Sequence, residues 1–218
     1  MAVIKNIIFD LGGVLLQIDY QKTEESFVAL GVKNFSKYFK QDFVSKLFDD
    51  FETGKISTNI FYNKFRTITK NNLTNLQIKN AWNAMLLTFW QNRLVWVESI
   101  STKYNIFLLS NTNEIHYNEV INIYNKSNSL KPFSSYFIKD YYSHILGLRK
   151  PIVSSYLKVI EEQHLLATET LFIDDTLKNI EGAKQASLQV LHLLPSMDLV
   201  LETIRFLENN KQLNKEIV

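Results

Sequence analysis

The sequence contains no cysteine, which excludes disulfide bonds, thiolate metal ligands and a cysteine nucleophile. This absence also fits a reducing compartment. The amino terminus lacks the pattern of a secretory signal, because Lys5 and Asn6 interrupt its apolar residues and Asp10 ends them. The longest apolar stretch, near residues 82–90, is too short to span a bilayer. We therefore expect a cytoplasmic protein that has no membrane partner.

An excess of charge of either sign is also lacking. The chain has 24 Lys and Arg residues and 22 Asp and Glu residues, without a basic run, which argues against a nucleic-acid partner. It has no internal repeat and no proline-rich linker. Its 218 residues, 46% of them hydrophobic, suffice for one large domain or for a core with a smaller insert. We expect a monomer or a homodimer.

Three short apolar runs share one plan: each reads as a strand buried on both faces, ends in polar residues and precedes a helical pattern. They are residues 3–9, followed by Asp10; residues 106–109, followed by Ser110, Asn111 and Thr112; and residues 171–173, followed by Asp174 and Asp175. Alternating strands and helices predict an α/β fold with a mostly parallel sheet. Ligands of such sheets bind beyond the carboxyl ends of the strands, so one fold brings the three polar clusters together.

A different pattern occupies residues 17–93 and predicts an inserted, all-helical cap, while residues 1–16 and 94–218 form the core domain. One apolar stripe ends before Gly54, a suitable residue after a helix C-terminus. The stripe consists of Phe43, Leu47, Phe48 and Phe51. Ser57 and the segment "TNLQ" at residues 74–77 have the form of helix N-caps. We interpret the aromatic residues, Trp82 included, as the core of this cap and not as a cofactor site.

The stretch "NIIFDLGGVLLQ" places Asp10 at a strand end, followed by Gly12 and Gly13. A carboxylate here can attack phosphorus, bind a metal ion, or only cap a turn. The two glycines suit a backbone that passes close to a ligand.

A second acidic cluster, Asp174 and Asp175, ends another strand. Adjacent carboxylates repel each other unless a cation or a lysine offsets them, and Mg²⁺ is the simplest such cation. The alternative is a solvated acidic turn, with Asn179 on the surface of the next helix.

Lys150 precedes Pro151, which suits the first position of a helix. Its ammonium group can neutralise a phosphoryl group and the acidic pair, or it can lie on the surface.

The segment Ser110, Asn111 and Thr112 offers hydroxyl, amide and backbone donors where a helix is predicted to begin. A helix N-terminus favours an anion such as phosphate. The same three residue types are also common in plain helix capping.

The ordered segments "IIFDLGGVL", "FLLSNTN", "GLRKP" and "LFIDDTLKN" resemble the four motifs of the haloacid dehalogenase superfamily. The insert resembles that superfamily's C1-type cap, and the similarity extends over residues 3–194. The segments "SNTNEIH" and "PFSSYF...GLRKP" look most like the sugar-phosphatase branch of the superfamily, which includes glucose-1-phosphatases. The resemblance implies a Rossmann-like fold, a phosphatase acting on a small phosphorylated metabolite, and Mg²⁺ as cofactor.

The resemblance also implies a role for individual residues. Asp10 would be the nucleophile, and Lys150 would stabilise the phosphoaspartate. The metal ligands would be Asp10, Asp174, Asp175 and the backbone oxygen of Gly12. Ser110 and Asn111 would bind the phosphoryl group beside Gly12 and Gly13, with Asn179 and Thr112 as supporting residues.

One departure from the family pattern stands at Gly12, where most phosphatases of the superfamily have a second aspartate that acts as general acid and base. Such help is worth ~10²–10⁴-fold in rate. Its loss matters less for a good leaving group, so we expect a preference for sugar 1-phosphates or similarly activated esters. Asp19 and His116 are candidates for a replacement acid. The alternatives are a helix cap for Asp19 and an ordinary helix-surface histidine for His116.

Two other functions remain open. A 2-haloacid dehalogenase also uses an aspartate nucleophile and lacks the second aspartate, but it needs no Mg²⁺, so the pair Asp174 and Asp175 argues against it. A phosphoryl-ligand binding or regulatory protein that has lost catalysis is supported by Gly12 alone.

Overall fold

The computed structural model describes residues 2–40, 43–127 and 131–215. Its strands are β1 (Asn6–Phe9), β2 (Leu16–Ile18), β3 (Phe39–Lys40), β4 (Phe43–Val44), β5 (Leu86–Phe89), β6 (Asn105–Ser110), β7 (Lys139–Tyr142), β8 (Thr170–Asp174) and β9 (Gln189–His192). Its helices are α1 (Tyr20–Ala29), α2 (Lys46–Glu52), α3 (Thr58–Thr69), α4 (Asn75–Asn83), α5 (Gln91–Ile100), α6 (Glu114–Ser127), α7 (Ser143–Leu146), α8 (Val153–Glu162), α9 (Leu177–Gln185) and α10 (Leu199–Lys215). Short 3₁₀ turns lie at Phe35–Lys37, Phe133–Tyr136 and Ala167–Glu169.

Five strands form one parallel sheet in the order β7-β6-β1-β8-β9. The chain starts at the central strand, adds β6 and β7 on one side, and returns to add β8 and β9 on the other. Ligands of such sheets bind outside the carboxyl ends of the strands where this reversal occurs, here beside β1 and β8. The predicted Rossmann-like α/β fold is confirmed.

Both faces of the sheet are covered by helices, which explains why the central strands β6, β1 and β8 are continuous apolar runs. In β1, Ile7 and Phe9 face a cluster that includes residues of α5, α6 and α10, while Ile8 faces α8 and α9. All three side chains are fully buried. Replacing such a phenylalanine by alanine typically costs about 3–5 kcal/mol of stability.

The cap segment, residues 17–93, has an aromatic core centred on Trp82. The rings around Trp82 are Phe35, Phe39, Phe48, Phe61 and, from helix α6, His116. Ile115 of α6 joins the same cluster, so the core domain contributes to the hydrophobic core of the cap segment. The interpretation of Trp82 as a core residue is therefore confirmed, and the boundaries at residues 17 and 93 stay a prediction.

The sequence pattern predicts an all-helical cap, but the cap segment also contains short strands. β2 pairs with β5 in an antiparallel ribbon where the segment leaves and rejoins the core, and β3 pairs with β4. Phe43 lies in β4, so the predicted helical stripe begins only with α2. Strand pairs this short carry too few residues to show a period of two in the sequence.

Several predicted helix ends are confirmed. The hydroxyl of Ser57 accepts a hydrogen bond from Ile60 N, and Thr74 forms a complete capping box with Gln77. Gly54 follows α2 with φ of +67°, in the left-handed region that favours glycine. Pro151 is not the first helical residue, because the turn in which Ile152 N donates to Arg149 O precedes α8.

Among the described residues, no helix combines the length and the apolar character needed to cross a membrane.

Candidate active site

The side chain of Lys150 joins two strand ends at the centre of the sheet. Asp10 follows β1 directly, and Asp174 ends β8. Lys150 Nζ donates hydrogen bonds of 2.7 Å to Asp10 Oδ1 and of 2.7 Å to Asp174 Oδ2. Lys150 is only 1% exposed, and burial by itself lowers the pKa of its ammonium group. The two carboxylates outweigh burial and raise that pKa, so Lys150 remains a buried cation.

Asp174 is the anchor of this lysine. Asn179 Nδ2, in the first turn of α9, lies 3.0 and 3.1 Å from its two carboxylate oxygens, and the N–H of Thr176 donates to Oδ1 at 2.8 Å. Both oxygens of Asp174 therefore have donors, and its side chain is fully buried. Asn179 acts on the site through Asp174, and its own carbonyl accepts a hydrogen bond from the Tyr156 hydroxyl.

The carboxylates of Asp10, Asp174 and Asp175 place oxygen atoms within 4.8 Å of one another. Burial raises the pKa of Asp10 to about 8, and the other two carboxylates add to that rise while Lys150 opposes it. Burial and Asp174 raise the pKa of Asp175 to about 6. Three clustered carboxylates beside one lysine favour a hard divalent cation that prefers oxygen ligands. These residues therefore fit Mg²⁺.

The glycines of the first motif lie where the backbone passes close to other groups. Gly13 has φ of +72°, and a Cβ there would overlap the carboxylate of Asp175. A Cβ on Gly12 would overlap Cδ1 of Ile18. The nearest atom to a side chain at position 12 is thus the flexible tip of an apolar residue of the cap segment. The backbone oxygen of Gly12 as a metal ligand stays a prediction.

Ser110 ends strand β6 and is 3% exposed, and it lines the cavity above Asp10. Among the described residues no partner hydrogen-bonds its hydroxyl, which leaves it for a phosphoryl oxygen. Asn111 instead grips the backbone of Lys150: its Nδ2 donates to Lys150 O at 2.8 Å, and its Oδ1 accepts from Lys150 N at 2.9 Å. Thr112 exchanges two backbone hydrogen bonds with the Ser143 hydroxyl. Asn111 therefore positions Lys150, and its expected contact with phosphate stays a prediction.

A cavity of about 140 Å³ lies over these groups. It is smaller than the ~300–1,000 Å³ typical of pockets for drug-sized ligands, so it suits a small substrate. One side carries Asp10, Ser110, Lys150 and Asp175. The opposite side, which we call the cap wall, is formed by Ile18, Tyr20, Phe39, Val44, Glu52, Met85 and Leu86.

Residues 4–187 match the family of haloacid dehalogenase-like hydrolases. The chain belongs to this family. The D-ribitol-5-phosphate phosphatase of Bacteroides thetaiotaomicron is 31% identical to this hydrolase over 182 residues, which are 84% of this chain and 88% of the relative.

Two solved structures are similar to this hydrolase over most of its length. One is a variant of the HAD-family enzyme bt-2542 of Bacteroides thetaiotaomicron in complex with magnesium and inorganic phosphate, with 29% identity, a TM-score of 0.84, and coverage of 89% of this chain and 96% of that one. The other is a HAD-like family hydrolase of Porphyromonas gingivalis, with 28% identity, a TM-score of 0.84, and coverage of 94% and 98%.

Neither candidate for a replacement acid is placed as an acid in this hydrolase. Asp19 caps helix α1, where Oδ1 accepts from Gln21 N at 3.0 Å, and it does not line the cavity. His116 lines the cavity but stacks on Trp82, and its Nε2 lies 3.0 Å from the carbonyl oxygen of Trp82. Burial lowers the pKa of His116 to about 4, so the ring is neutral near pH 7. It is 6% exposed, so the expectation of a helix-surface histidine is wrong.

Tyr20, Glu52 and Arg149 also line the cavity, although the sequence had assigned none of them a role in the site. Burial, followed by Asp175 and Asp10, raises the pKa of the Tyr20 hydroxyl, which remains protonated. Arg149 forms an ion pair with Glu52 of the cap wall. Its position beside Lys150 in the third motif was a usable signal. Tyr20 and Glu52 gave none, because only the packing of the cap segment brings them to the site.

Proposed function

We propose that this hydrolase is a Mg²⁺-dependent phosphomonoesterase that acts on small phosphorylated metabolites through an aspartyl-phosphate at Asp10. The observation that carries the proposal is Lys150, a buried cation that joins Asp10 to the anchored Asp174 at the base of a small cavity. This arrangement gives one carboxylate a fixed position and offsets part of the negative charge that a phosphate ester adds.

The reaction follows from these positions. Lys150 holds Asp10 Oδ1, which leaves Oδ2 to attack phosphorus while the bond to the leaving oxygen breaks. The leaving oxygen takes a proton from solvent, and water then cleaves the acyl phosphate to release phosphate and restore Asp10. Lys150 and the Ser110 hydroxyl stabilise the phosphoryl oxygens, and electrostatic stabilisation of this kind is usually the largest contribution to the rate.

The predicted cofactor, Mg²⁺, is confirmed by the carboxylate cluster and by the magnesium and phosphate in the structure of a relative. When bound by Asp10, Asp174 and Asp175, the ion supplies Lewis-acid stabilisation of a phosphoryl oxygen. The name of the ribitol-phosphate phosphatase supports the same reaction class.

The preference we propose is for sugar 1-phosphates or other esters with good leaving groups. It rests on Gly12, which carries no acidic side chain and beside which the tip of the Ile18 side chain lies. Loss of a general acid costs ~10²–10⁴-fold, or about 3–5 kcal/mol of barrier, and a leaving group that needs little protonation is affected least. Ribitol 5-phosphate carries its phosphate on an ordinary alcohol, so the name of the relative does not support this preference.

A substrate panel tests the proposal. With Mg²⁺, the enzyme should release phosphate, turn over glucose 1-phosphate faster than glucose 6-phosphate, and lose activity in EDTA. The reverse order would overturn the leaving-group preference. Absence of phosphate release from glucose 1-phosphate, glucose 6-phosphate, ribitol 5-phosphate and acetyl phosphate would overturn the phosphatase itself.

The same panel addresses the two alternatives. Halide release from a 2-haloacid that is insensitive to EDTA would identify a dehalogenase. The cluster of three carboxylates disfavours this reaction because, without Mg²⁺ to offset their charge, they repel the anionic substrate. Phosphate binding without turnover would identify a regulatory protein.

The cytoplasmic location and the monomer or homodimer stay predictions.

A further inference from the structure

The cap wall carries one carboxylate, Glu52, at the end of α2. Its Oε2 lies 2.9 Å from Nη2 of Arg149, and the side chains of Glu52 and Arg149 are 5% and 16% exposed. Both residues line the cavity. Asp49 is a second, more distant partner, with Oδ1 3.7 Å from Arg149 Nη1, and it lies outside the cavity lining. The ion pair thus joins the cap segment to the residue before Lys150.

The ion pair leaves hydrogen-bonding capacity unused. Glu52 Oε2 has one close contact, with Arg149 Nη2 at 2.9 Å. A carboxylate can accept about four hydrogen bonds and a guanidinium can donate five. One contact therefore leaves both groups able to bind a ligand in the cavity that they line.

Both side chains are held in place by their surroundings. A Cβ on Gly54, just after α2, would overlap the carbonyl oxygen of His144, so the end of α2 packs directly on the core domain. Arg149 precedes Lys150, whose backbone is gripped by Asn111 at 2.8 and 2.9 Å. The pair is therefore positioned before a substrate arrives.

We propose that Glu52 and Arg149 together bind a hydroxyl group of the substrate and so select polyhydroxylated phosphate esters, a specificity that rests on the proposed phosphatase function. A hydroxyl group donates one hydrogen bond and accepts others, so it can donate to Glu52 and accept from Arg149 at once. The neighbouring residues Phe39, Val44 and Leu86 are apolar, so apart from the Tyr20 hydroxyl the cap wall offers no other polar side chain. Phosphate lies at Asp10, and the hydroxyl-bearing carbon skeleton extends toward the cap wall.

The test compares substrates that differ in their hydroxyl groups. kcat/KM is measured with Mg²⁺ for ribitol 5-phosphate, glucose 1-phosphate and n-pentyl phosphate, the last having a five-carbon chain without hydroxyls. The wild-type enzyme should prefer at least one hydroxylated substrate. Glu52→Gln should lower that preference about tenfold or more, because an amide cannot replace the charged acceptor, while turnover of n-pentyl phosphate changes little.

Two further variants separate recognition from a structural role. Asp49→Asn also removes a carboxylate partner of Arg149, but outside the cavity, and should leave the ratio of kcat/KM values unchanged. Arg149→Lys keeps the charge but removes Nε and should lower the ratio as Glu52→Gln does, which provides a second reading if one variant folds poorly. Equal losses on all substrates, or an unchanged ratio in both variants, would overturn the proposal. A wild-type enzyme that hydrolyses none of the three esters would instead refute the phosphatase function.

Discussion

The two sides of the cavity differ in how completely their polar groups are partnered. On the side of the sheet, Asp174 has hydrogen bonds from Lys150, Asn179 and Thr176. On the cap wall and beside it, Glu52 and Arg149 make one close contact with each other, at 2.9 Å. The difference indicates that the charged groups of the proposed reaction are bonded to one another before substrate binds, whereas the recognition pair keeps donors and acceptors for the substrate. Such preorganisation is what makes buried charges effective in catalysis.

The two regions meet at position 12. Gly12 belongs to the first motif of the core domain, and the tip of Ile18 of the cap wall lies beside it. Both residues line the cavity. At position 12 the cap segment contributes an apolar contact, and the charged groups of the site come from the ends of the sheet strands.

Asp10→Asn should have the largest effect, because it removes the proposed nucleophile from the sheet side. We expect kcat with glucose 1-phosphate to fall by at least about 10⁴-fold, as is usual for the loss of a nucleophile. Asp19→Asn is the matched control, since Asp19 only caps α1, and its kcat should stay within about twofold of the wild-type value. Comparable losses in both variants would contradict the division of roles.

Gly12→Asp combined with Ile18→Ala should have the next largest effect, because it provides an acid and the space for it. Turnover of glucose 6-phosphate should rise about tenfold or more relative to glucose 1-phosphate, a fraction of the full value of general acid catalysis. Gly12→Asn combined with Ile18→Ala has nearly the same shape without the acid and should not show this rise. If both double variants behave alike, the missing acid does not set the leaving-group preference.

The melting temperature should show a smaller effect that depends on pH and on Mg²⁺. The pKa values of Asp10 and Asp175 lie at about 8 and about 6 in the folded, metal-free chain, above the ordinary 3.8. The folded chain thus holds protons that the unfolded chain has lost, so in EDTA its stability falls as the pH rises from about 4 to about 8. Mg²⁺ binds the ionised carboxylates and should raise the melting temperature by more at pH 8 than at pH 6. Asp10→Asn should flatten the fall in EDTA, and an equal gain from Mg²⁺ at both pH values would contradict this electrostatic description.

The sequence sufficed to predict the centre of the sheet and the residues at its strand ends. The central strands β6, β1 and β8 are short apolar runs because both faces of the sheet are buried, and Asp10, Ser110 and Asp174 stand where those runs stop. The edge strand β7 begins with two charged residues and showed no such run. A parallel sheet brings such ends to one edge whatever the details of packing. Lys150 was placed at the site only by the resemblance to the third motif of the family, because its charge alone favoured a surface position.

The cap wall could not be predicted in this way. Glu52 and Tyr20 lie in ordinary helical sequence, and only the packing of α1 and α2 against the core domain turns them toward the cavity. His116 was expected to be either a replacement acid or a helix-surface residue, yet the cap segment covers it with Trp82. Asn111 was expected beside phosphate, and its grip on the backbone of Lys150 depends on a loop from another part of the chain.

The dependence of rate on the leaving group tests most directly whether phosphoryl transfer at Asp10 proceeds without a general acid. For a series of aryl phosphates at fixed Mg²⁺, the logarithm of kcat/KM should fall steeply as the pKa of the released phenol rises. The slope should become shallower in Gly12→Asp combined with Ile18→Ala. A slope near zero in the wild-type enzyme, with chemistry limiting the rate, would contradict the proposed reaction.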